Sequence, residues 1–365
     1  MKPTPVQLWP RGWPWLKPRG TRTTCPTNPV RQCANSGFTC EVRAPVRARP
    51  TPLRANLAGE PTRERKSTRS ANVGDVEIGI IGGTGLGDIL LKEAGGTPTE
   101  VDTPFGRPSC PPIIATWEGR RVAFVARHGA GHTFNPTNVP YRANIYALKQ
   151  LGAAAVIASG ATGSLRENIH PGELVVCDQV IDRTSRRSST FFDEGLAVHV
   201  ELADPFCPTL RRDLVAAAAQ LDLTTHDGGT YVCMEGPQFS TRAESHLHRA
   251  WGGDVIGMTA MPEAKLAREA ELCYALVALP TDYDCWRPHP GDPPHDALLR
   301  EILGNLKLAS QRALTLIRQF LRVYNPSSRT CGCGSALKLA IWSDLNGLAP
   351  AVRQRLGSLV ERYIS

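Results

Sequence analysis

The sequence predicts an α/β fold: a single three-layer domain in which helices flank a central mixed, largely parallel sheet. Three observations lead there. Short, almost wholly apolar runs such as residues 153–158 and 272–279 have the length and composition of strands buried on both faces. Amphipathic segments of helical period separate such runs, so strands and helices alternate. The apolar runs also end in small or polar clusters, where open α/β sheets bind their ligands.

The domain does not begin at once. Residues 1–70 carry fourteen Lys or Arg against three acids (Glu41, Glu60, Glu64), a net of +11 in a chain of +8, so the remainder stands at −3. The basic character therefore belongs to the first segment and says nothing about the partners of the folded part. That segment holds eleven of the thirty prolines and no sustained periodicity. It cannot bury enough apolar surface to offset its chain entropy, and residues 1–75 read as a disordered basic extension. Three accounts stand open: a tail touching nucleic acid or acidic surfaces, a targeting segment, or a start codon placed too far upstream. An inert tail or misplaced start is favoured, and nucleic acid is not the expected partner of the folded domain. Pro10, Pro14 and Pro18 interrupt the only early apolar cluster, which speaks against a secretory signal. With Met only at 1, 234, 258 and 261, a shorter product would start from a non-Met codon near Val73 or Val76.

The elements follow in order. Residues 76–81 form a strand running into Gly82-Gly83-Thr84-Gly85. Strands at 113–117 and 121–126 come next, the second ending at Arg127-His128-Gly129. A helix covers 141–150 with Ile145 and Leu148 inward, and the strand 153–158 ends in a run of small residues, 159–164. A strand at 173–181 precedes a helix at 210–221. Thr241 and Glu244 make a capping box for a helix ending near Gly252. A short strand at 254–257 leads to a helix that starts around Pro262 and runs to Glu271. The strand 272–279 opens into Thr281-Asp282-Tyr283-Asp284-Cys285-Trp286. An amphipathic helix at 296–321, with Leu299, Ile302, Leu303, Leu306, Leu314 and Ile317 on its core side, closes a domain of residues 76–324. Residues 325–365 read as a small helical appendage with a helix at about 350–363.

Eleven cysteines without a signal peptide imply reduced thiols and a cytoplasmic protein. Cys331-Gly332-Cys333 alone offers too few ligands for zinc and reads as a local redox pair or an accident, so no metal site is expected. No run approaches the roughly 18–20 apolar residues of a membrane span.

Each strand end carries chemistry. The backbone N–H groups of the glycine turn and the Thr84 hydroxyl could approach an anion, though the turn lacks the GxGxxG spacing and has Asp88 where a P-loop needs Lys. Arg127 supplies a fork of donors for phosphate oxygens and His128 a second donor, with His132 able to line the same cleft. The small residues 159–164 let a ligand lie against backbone. Phe239, after Glu235-Gly236-Pro237, could stack on a base, and Met258-Thr259 offers an apolar wall and a hydroxyl. Asp282 and Asp284 could hydrogen-bond a heterocycle and hand it a proton. Taken singly, each is equally well a tight turn, a solvated acid or a packed core side chain.

Taken in order, these motifs resemble the purine nucleoside phosphorylase superfamily, in its trimeric branch, and within it the methylthioadenosine phosphorylases. The resemblance rests on Gly79-Ile80-Ile81-Gly82-Gly83-Thr84-Gly85, Thr103-Pro104-Phe105-Gly106, Ala126-Arg127-His128-Gly129, Gly163-Ser164-Leu165-Arg166, Glu235-Gly236-Pro237, Met258-Thr259 with Met261-Pro262-Glu263, and 281–286. It spans about 78–321. It implies a phosphorylase/uridine phosphorylase-like fold and a homotrimer. It also implies phosphorolysis of 5′-methylthioadenosine to adenine and 5-methylthioribose 1-phosphate, with inorganic phosphate as co-substrate and neither cofactor nor metal.

By the same resemblance, Thr84, Arg127, His128, Gly160, Ala161 and Thr259 match phosphate positions. Asp282 matches the catalytic residue that shares a proton with the purine ring nitrogen, and Asp284 the acceptor from the 6-amino group. Phe239 and Met258 would sandwich base and sugar, His132 would line the site, and His199 would reach a neighbouring subunit's site. Ser240 and His295 match specificity positions. Two departures stand out. Gly257 replaces a frequent Asn, and His295 stands where methylthio-specific enzymes commonly carry Val, which raises adenosine as a substrate. The alternatives are a phosphorylase of adenosine or 6-oxopurine nucleosides, and a non-catalytic protein binding nucleosides or nucleic acid. The paired acids favour a 6-amino over a 6-oxo purine, because a carboxylate accepts from an amino group and repels an oxo oxygen.

Overall fold

A computed structural model of the chain describes residues 75–288, 291 and 295–364, apart from the side chain of His295. The expectation of disorder for the first segment lies outside these residues. In chain order the first half contains β1 (Ile78–Gly82), α1 (Leu86–Glu93), β2 (Thr97–Pro98), β3 (Ile113–Trp117), β4 (Arg120–Ala126), α2 (Tyr141–Gln150) and β5 (Ala155–Ser164). Then come β6 (Leu174–Val176), β7 (Gln179–Arg183), α3 (Pro208–Ala218), β8 (Thr225–Asp227) and β9 (Thr230–Met234). The last third contains α4 (Arg242–Ala250), β10 (Val255–Gly257), α5 (Ala260–Glu269), β11 (Cys273–Asp282), α6 (His295–Val323) and α7 (Pro350–Val360).

The sheet runs β2-β3-β4-β1-β5-β10-β9-β7 and forks at β5. The lower part of β5 pairs in parallel with β1, and its end pairs antiparallel with β10. Along its whole length β5 also pairs in parallel with β11, which carries β6 and β8 as a second branch. Side chains alternate across each strand. Thus Ile81, Val125, Val156, Ala158, Leu276 and Ala278 face one apolar layer with α2, α5 and α7. Ile78, Ile80, Phe124, Ile157, Ala275 and Val277 face the other, with α1, α3 and α6. This is the mixed-sheet, three-layer arrangement read from the sequence.

Several local readings change. Residues 159–164 are not a turn but the upper half of β5: Gly160, Ala161 and Thr162 lie opposite Ala278, Leu279 and Pro280 of β11, and the partner strand holds small residues extended. The stretch 173–181 breaks into β6 and β7, where the Asp178 carboxylate accepts from Gly229 N at 2.7 Å. Neither α1 nor β9 is assigned by local pattern. On α6 the buried face is Ala309, Ala313, Leu316, Ile317 and Phe320, while Leu299 and Leu303 are exposed. The apolar stripe of its first turns therefore has no covering element among the described residues. Residues 325–364 are woven into the domain rather than appended: Leu337, Leu356, Leu359 and Val360 join the layer of α2 and α5, and Ile341 bridges to Val198. The buried Glu271 carboxylate ties that segment down, accepting from Leu337 N at 3.0 Å and from Tyr363 Oη at 2.6 Å. Cys331 and Cys333 are not a local pair either, for Cys207 and Cys273 join them in one cluster. Among the described residues no helix is long and apolar enough to cross a membrane.

Candidate active site

At the end of β1 the chain must turn in almost no space. Gly83 N donates to Ser159 O at 3.1 Å, and a Cβ at Gly83 would stand 2.6 Å from both Ser159 O and Arg127 Nη1. The glycines therefore let the turn press against the end of β4, where Arg127 is wholly buried. Its Nε and Nη2 each donate to the Glu263 carboxylate at 2.7 Å, and Nη1 donates to Ser159 O at 2.6 Å. Tyr274 Oη adds a donor to Glu263 at 2.7 Å. Burial alone would disfavour the guanidinium charge, and the opposite charge and hydrogen bonds of Glu263 more than restore it. These bonds leave two of its five N–H groups for a further acceptor.

His128 presents something other than the expected second donor. Its Nδ1 lies 2.8 Å from Phe134 O, and a carbonyl only accepts, so Nδ1 carries the proton. Burial first, and Arg127 next, push its pKa down to about 4. The ring is therefore neutral near pH 7 and offers Nε2 as an acceptor. His132 stacks on it with centroids 4.2 Å apart.

The floor beneath these groups is β5. A Cβ at Gly160 would lie 3.4 Å from Thr259 Oγ1 and 3.8 Å from Arg127 Nη1, so Gly160, Thr259 and Arg127 line one small space, and the half-buried Thr84 directly follows Gly83, which abuts the same Arg127 Nη1. Ala161 is the next strand residue, opposite Leu279. Three residues above Gly160, Gly163 lies under the acids: a Cβ there would meet Asp284 Cβ at 3.1 Å and Asp282 Oδ1 at 3.2 Å. At about 3.3 Å per residue, Gly160 and Gly163 stand about 10 Å apart, room for a pentose between an anion and a heterocycle.

At the acid end, Asp282 Oδ2 accepts from the Thr281 hydroxyl at 2.6 Å and Oδ1 from Asp284 N at 2.7 Å. Asp284 takes φ +50°, and its Oδ2 is buried with no hydrogen-bond partner among the described residues. Such an oxygen carries a desolvation cost that a donor on a ligand would relieve. The Asn305 amide donates to Thr281 O at 2.9 Å and Trp286 Nε1 to Ser164 O at 2.8 Å, which fixes the acidic run against β5 and α6.

Other anticipated residues lie around rather than in this floor. Met258 packs under the turn at Gly236, where a Cβ would stand 2.6 Å from its sulfur. Phe239 is 85% exposed and stacks on no ring among the described residues, and the Ser240 hydroxyl faces Met234 Sδ at 3.7 Å. His199 lies against Trp342, centroids 4.7 Å apart. His295 opens α6, with its side chain outside the described residues. The departure at Gly257 has a physical cause: a Cβ there would collide with Tyr231 Oη at 2.0 Å, so the tyrosine hydroxyl takes the place a side chain would need.

Three supporting residues escape sequence reasoning. Glu263 sits in a quoted motif, and an acid within an apolar helix face was its signal. Tyr231 belongs to β9, which local pattern does not assign. Arg187 has no signal, since Arg186-Arg187-Ser188 reads as a solvated loop. Its side chain is in fact buried: Nη1 donates to Met258 O and Met261 O, each at 2.6 Å, and Nη2 to Glu235 O at 2.6 Å. The Glu235 carboxylate closes the clamp. Burial opposes its charge, but hydrogen bonds from Thr137, Ser185, Arg186 and Arg187 outweigh that and hold its pKa at about 2.

The family model described as the phosphorylase superfamily matches residues 77–322. An S-methyl-5′-thioadenosine phosphorylase of Koribacter versatilis is 47% identical over 292 residues, covering 79% of this chain and 96% of the relative. One from Pyrococcus furiosus is 46% identical over 263 residues, covering 72% and 98%. Among solved structures, a methylthioadenosine phosphorylase from an Antarctic soil metagenomic library has a TM-score of 0.70 at 41% identity, covering 79% of this chain and 99% of that one. The Schistosoma mansoni methylthioadenosine phosphorylase in complex with adenine has a TM-score of 0.67 at 32% identity, covering 73% and 99%.

Proposed function

The chain belongs to the phosphorylase superfamily, and from that premise we propose that it cleaves 5′-methylthioadenosine with inorganic phosphate, releasing adenine and 5-methylthioribose 1-phosphate. The observation that carries this reading is the buried Asp284 Oδ2, unpartnered among the described residues, beside Asp282 and three strand residues from a space lined by Arg127 and Thr259. An acceptor pair suits the N7–H and 6-amino group of a departing adenine, and a cationic pocket suits phosphate.

In this reading a phosphate oxygen attacks C1′ as the bond from C1′ to N9 breaks. The sugar passes through a cation-like state, stabilised by the phosphate charge that Arg127 holds beneath it. Asp282 shares a proton with N7, so the electrons left on the purine are neutralised as it departs. Asp284 accepts from the 6-amino group. Neutral His128, with Nδ1 committed to Phe134 O, takes a hydrogenphosphate O–H at Nε2. Thr84, Gly160, Ala161 and Thr259 surround the remaining oxygens. The chemistry asks for no cofactor.

The same reading takes the protein to be a homotrimer. Exposed Leu299, Leu303, Leu339, Trp342 and Phe239 support it, since a second copy would cover apolar surface that is costly to leave wet. His199 beside Trp342 then comes near a neighbour's site.

The test is release of free base from methylthioadenosine, adenosine or inosine with phosphate present. Adenine from methylthioadenosine is expected. Hypoxanthine from inosine as the main product, or no base from any of the three, would defeat the proposal. Preference for adenosine would assign the 5′ end of the pocket to an ordinary hydroxyl.

A further inference from the structure

Far from the acids, four cysteines from three parts of the chain converge. Cys207 caps the N-terminus of α3, Cys273 begins β11, and Cys331 and Cys333 flank Gly332 in the C-terminal segment. Their sulfurs all lie within 4.8 Å of one another, and Cys273 Sγ and Cys331 Sγ are 3.3 Å apart. Three of the four are buried and Cys331 is half-buried.

We propose that Cys207, Cys273, Cys331 and Cys333 form a tetrathiolate site that binds one zinc ion and fastens the C-terminal segment to the sheet. Three physical points support it. With Zn–S bonds of about 2.3 Å, the sulfurs of a tetrahedron stand roughly 3.8 Å apart, so the cluster needs only sub-ångström to ångström adjustments to close on an ion. Disulfides would instead draw the sulfurs together in twos to about 2 Å and would not require all four to share one spot. Soft thiolates in a closed, four-ligand set select a d¹⁰ cation and leave no open position, the pattern of a structural rather than a catalytic site.

The surroundings suit the charge. Four thiolates around a divalent ion leave two negative charges. The positive charges of Arg329 and Arg268 act on the cluster, the first on Cys273 and Cys331 and the second on Cys333. Leu210 N donates to the Cys207 sulfur at 3.4 Å, the outer-sphere contact that orients a thiolate ligand. Binding would release each remaining thiol proton to solvent and change no oxidation state. The site is also remote from the chemistry, since Cys273 and Asp282 are the two ends of β11, about 30 Å apart along an extended strand.

The experiment uses the full chain, purified with a thiol reductant and supplied with zinc, then dialysed and assayed for metal by mass spectrometry. About one zinc per chain is expected, falling below one tenth in Cys331→Ser and unchanged in Cys110→Ser, whose thiol lies outside the cluster. Cobalt(II) supplied to the wild-type chain should give the intense visible bands of a tetrahedral thiolate complex, a readout that does not depend on any variant folding. Chelation should lower Tm while adenine release at mild temperature persists. Reduced protein that retains no zinc and gives no cobalt spectrum overturns the proposal. So does protein that refuses metal because denatured, unreduced mass shows two disulfides among these four residues.

Discussion

Glu263→Gln is the substitution on which the phosphate end of the site can be judged. In the wild type the Glu263 carboxylate receives Arg127 twice at 2.7 Å and Tyr274 once at 2.7 Å, with both partners of the ion pair wholly shielded from solvent. Gln keeps the shape and one acceptor oxygen but removes the charge, and its amide nitrogen is set against a guanidinium that has nothing to give it. Breaking a buried pair by removing one partner costs about 3–5 kcal/mol, mainly the desolvation of the charge left behind. For a domain of this size that lowers Tm by roughly 10 °C. The released guanidinium should also turn away from Gly160 and Thr259, so the KM for phosphate rises while that for methylthioadenosine changes little. The assay pairs urea unfolding with initial rates at varied phosphate. The double variant Arg127→Met with Glu263→Gln discriminates further. With no buried charge left to strand, it should be more stable than Glu263→Gln alone, with a coupling above about 1 kcal/mol. If Glu263→Gln unfolds within about 0.5 kcal/mol of the parent and keeps its phosphate KM, the guanidinium is not held by this carboxylate and the electrostatic account fails.

The other predictions concern the floor, the acids and one distant carboxyl. Asp282→Asn should lower kcat by about 10²–10⁴-fold while phosphate still protects against thermal unfolding; undiminished kcat would remove Asp282 from proton transfer. Gly160→Val should raise the phosphate KM tenfold or more, about 1.4 kcal/mol, because its branch enters the space between Thr259 and Arg127; an unchanged KM would place phosphate elsewhere. Glu269 is buried, and that burial raises its pKa to about 7 against donors from Phe191 N and Thr190. Its folded-state pKa exceeds the unfolded value, so the stability it contributes is full below about 4.5 and is lost as pH rises through 7, up to about 3 kcal/mol. Urea midpoints of Glu269→Gln at pH 5 and pH 8 should differ by less than those of the wild type, and equal differences would assign the slope to other groups.

Legibility from sequence divided along a physical line. Features with a local cause were readable: the apolar run that became β11, the Thr241 capping box, and acids or cations placed at strand ends, as at Asp282 and Arg127. Features created by a partner were not. Residues 159–164 look like a turn because small residues have little strand propensity, and only pairing with β11 extends them. Arg187 looks solvated because nothing nearby in sequence shows the four carbonyls it will meet. The role of His128 was half visible. Its place after β4 was readable, but the proton on Nδ1 depends on Phe134 O, which a loop brings back. Cys331 and Cys333 read as a local redox pair or an accident of sequence, since their companions lie 58 or more residues away.

The fork of the sheet explains why the two halves of the site keep a fixed spacing. β5 is bound to β1 and β11 on its two edges, and the register sets Gly160 opposite Ala278 and Gly163 opposite Asp282. The phosphate end depends on the first of these pairings, the purine end on the second, and both lie on one backbone. A slip of β11 by a single residue would exchange its two faces, driving Leu276 and Ala278 into the layer shaped around Ala275 and Val277 while lifting Asp282 from Gly163. The apolar layers on both faces therefore oppose any shift of the acids along the floor. A bulge between Pro280 and Asp282 is the one irregularity, and it falls where the strand must leave the sheet and aim a carboxylate. The rigidity of the core and the aim of the acids thus have a common origin in the same ten residues, which is why substitutions at Gly160 or Gly163 should damage catalysis before they damage the fold.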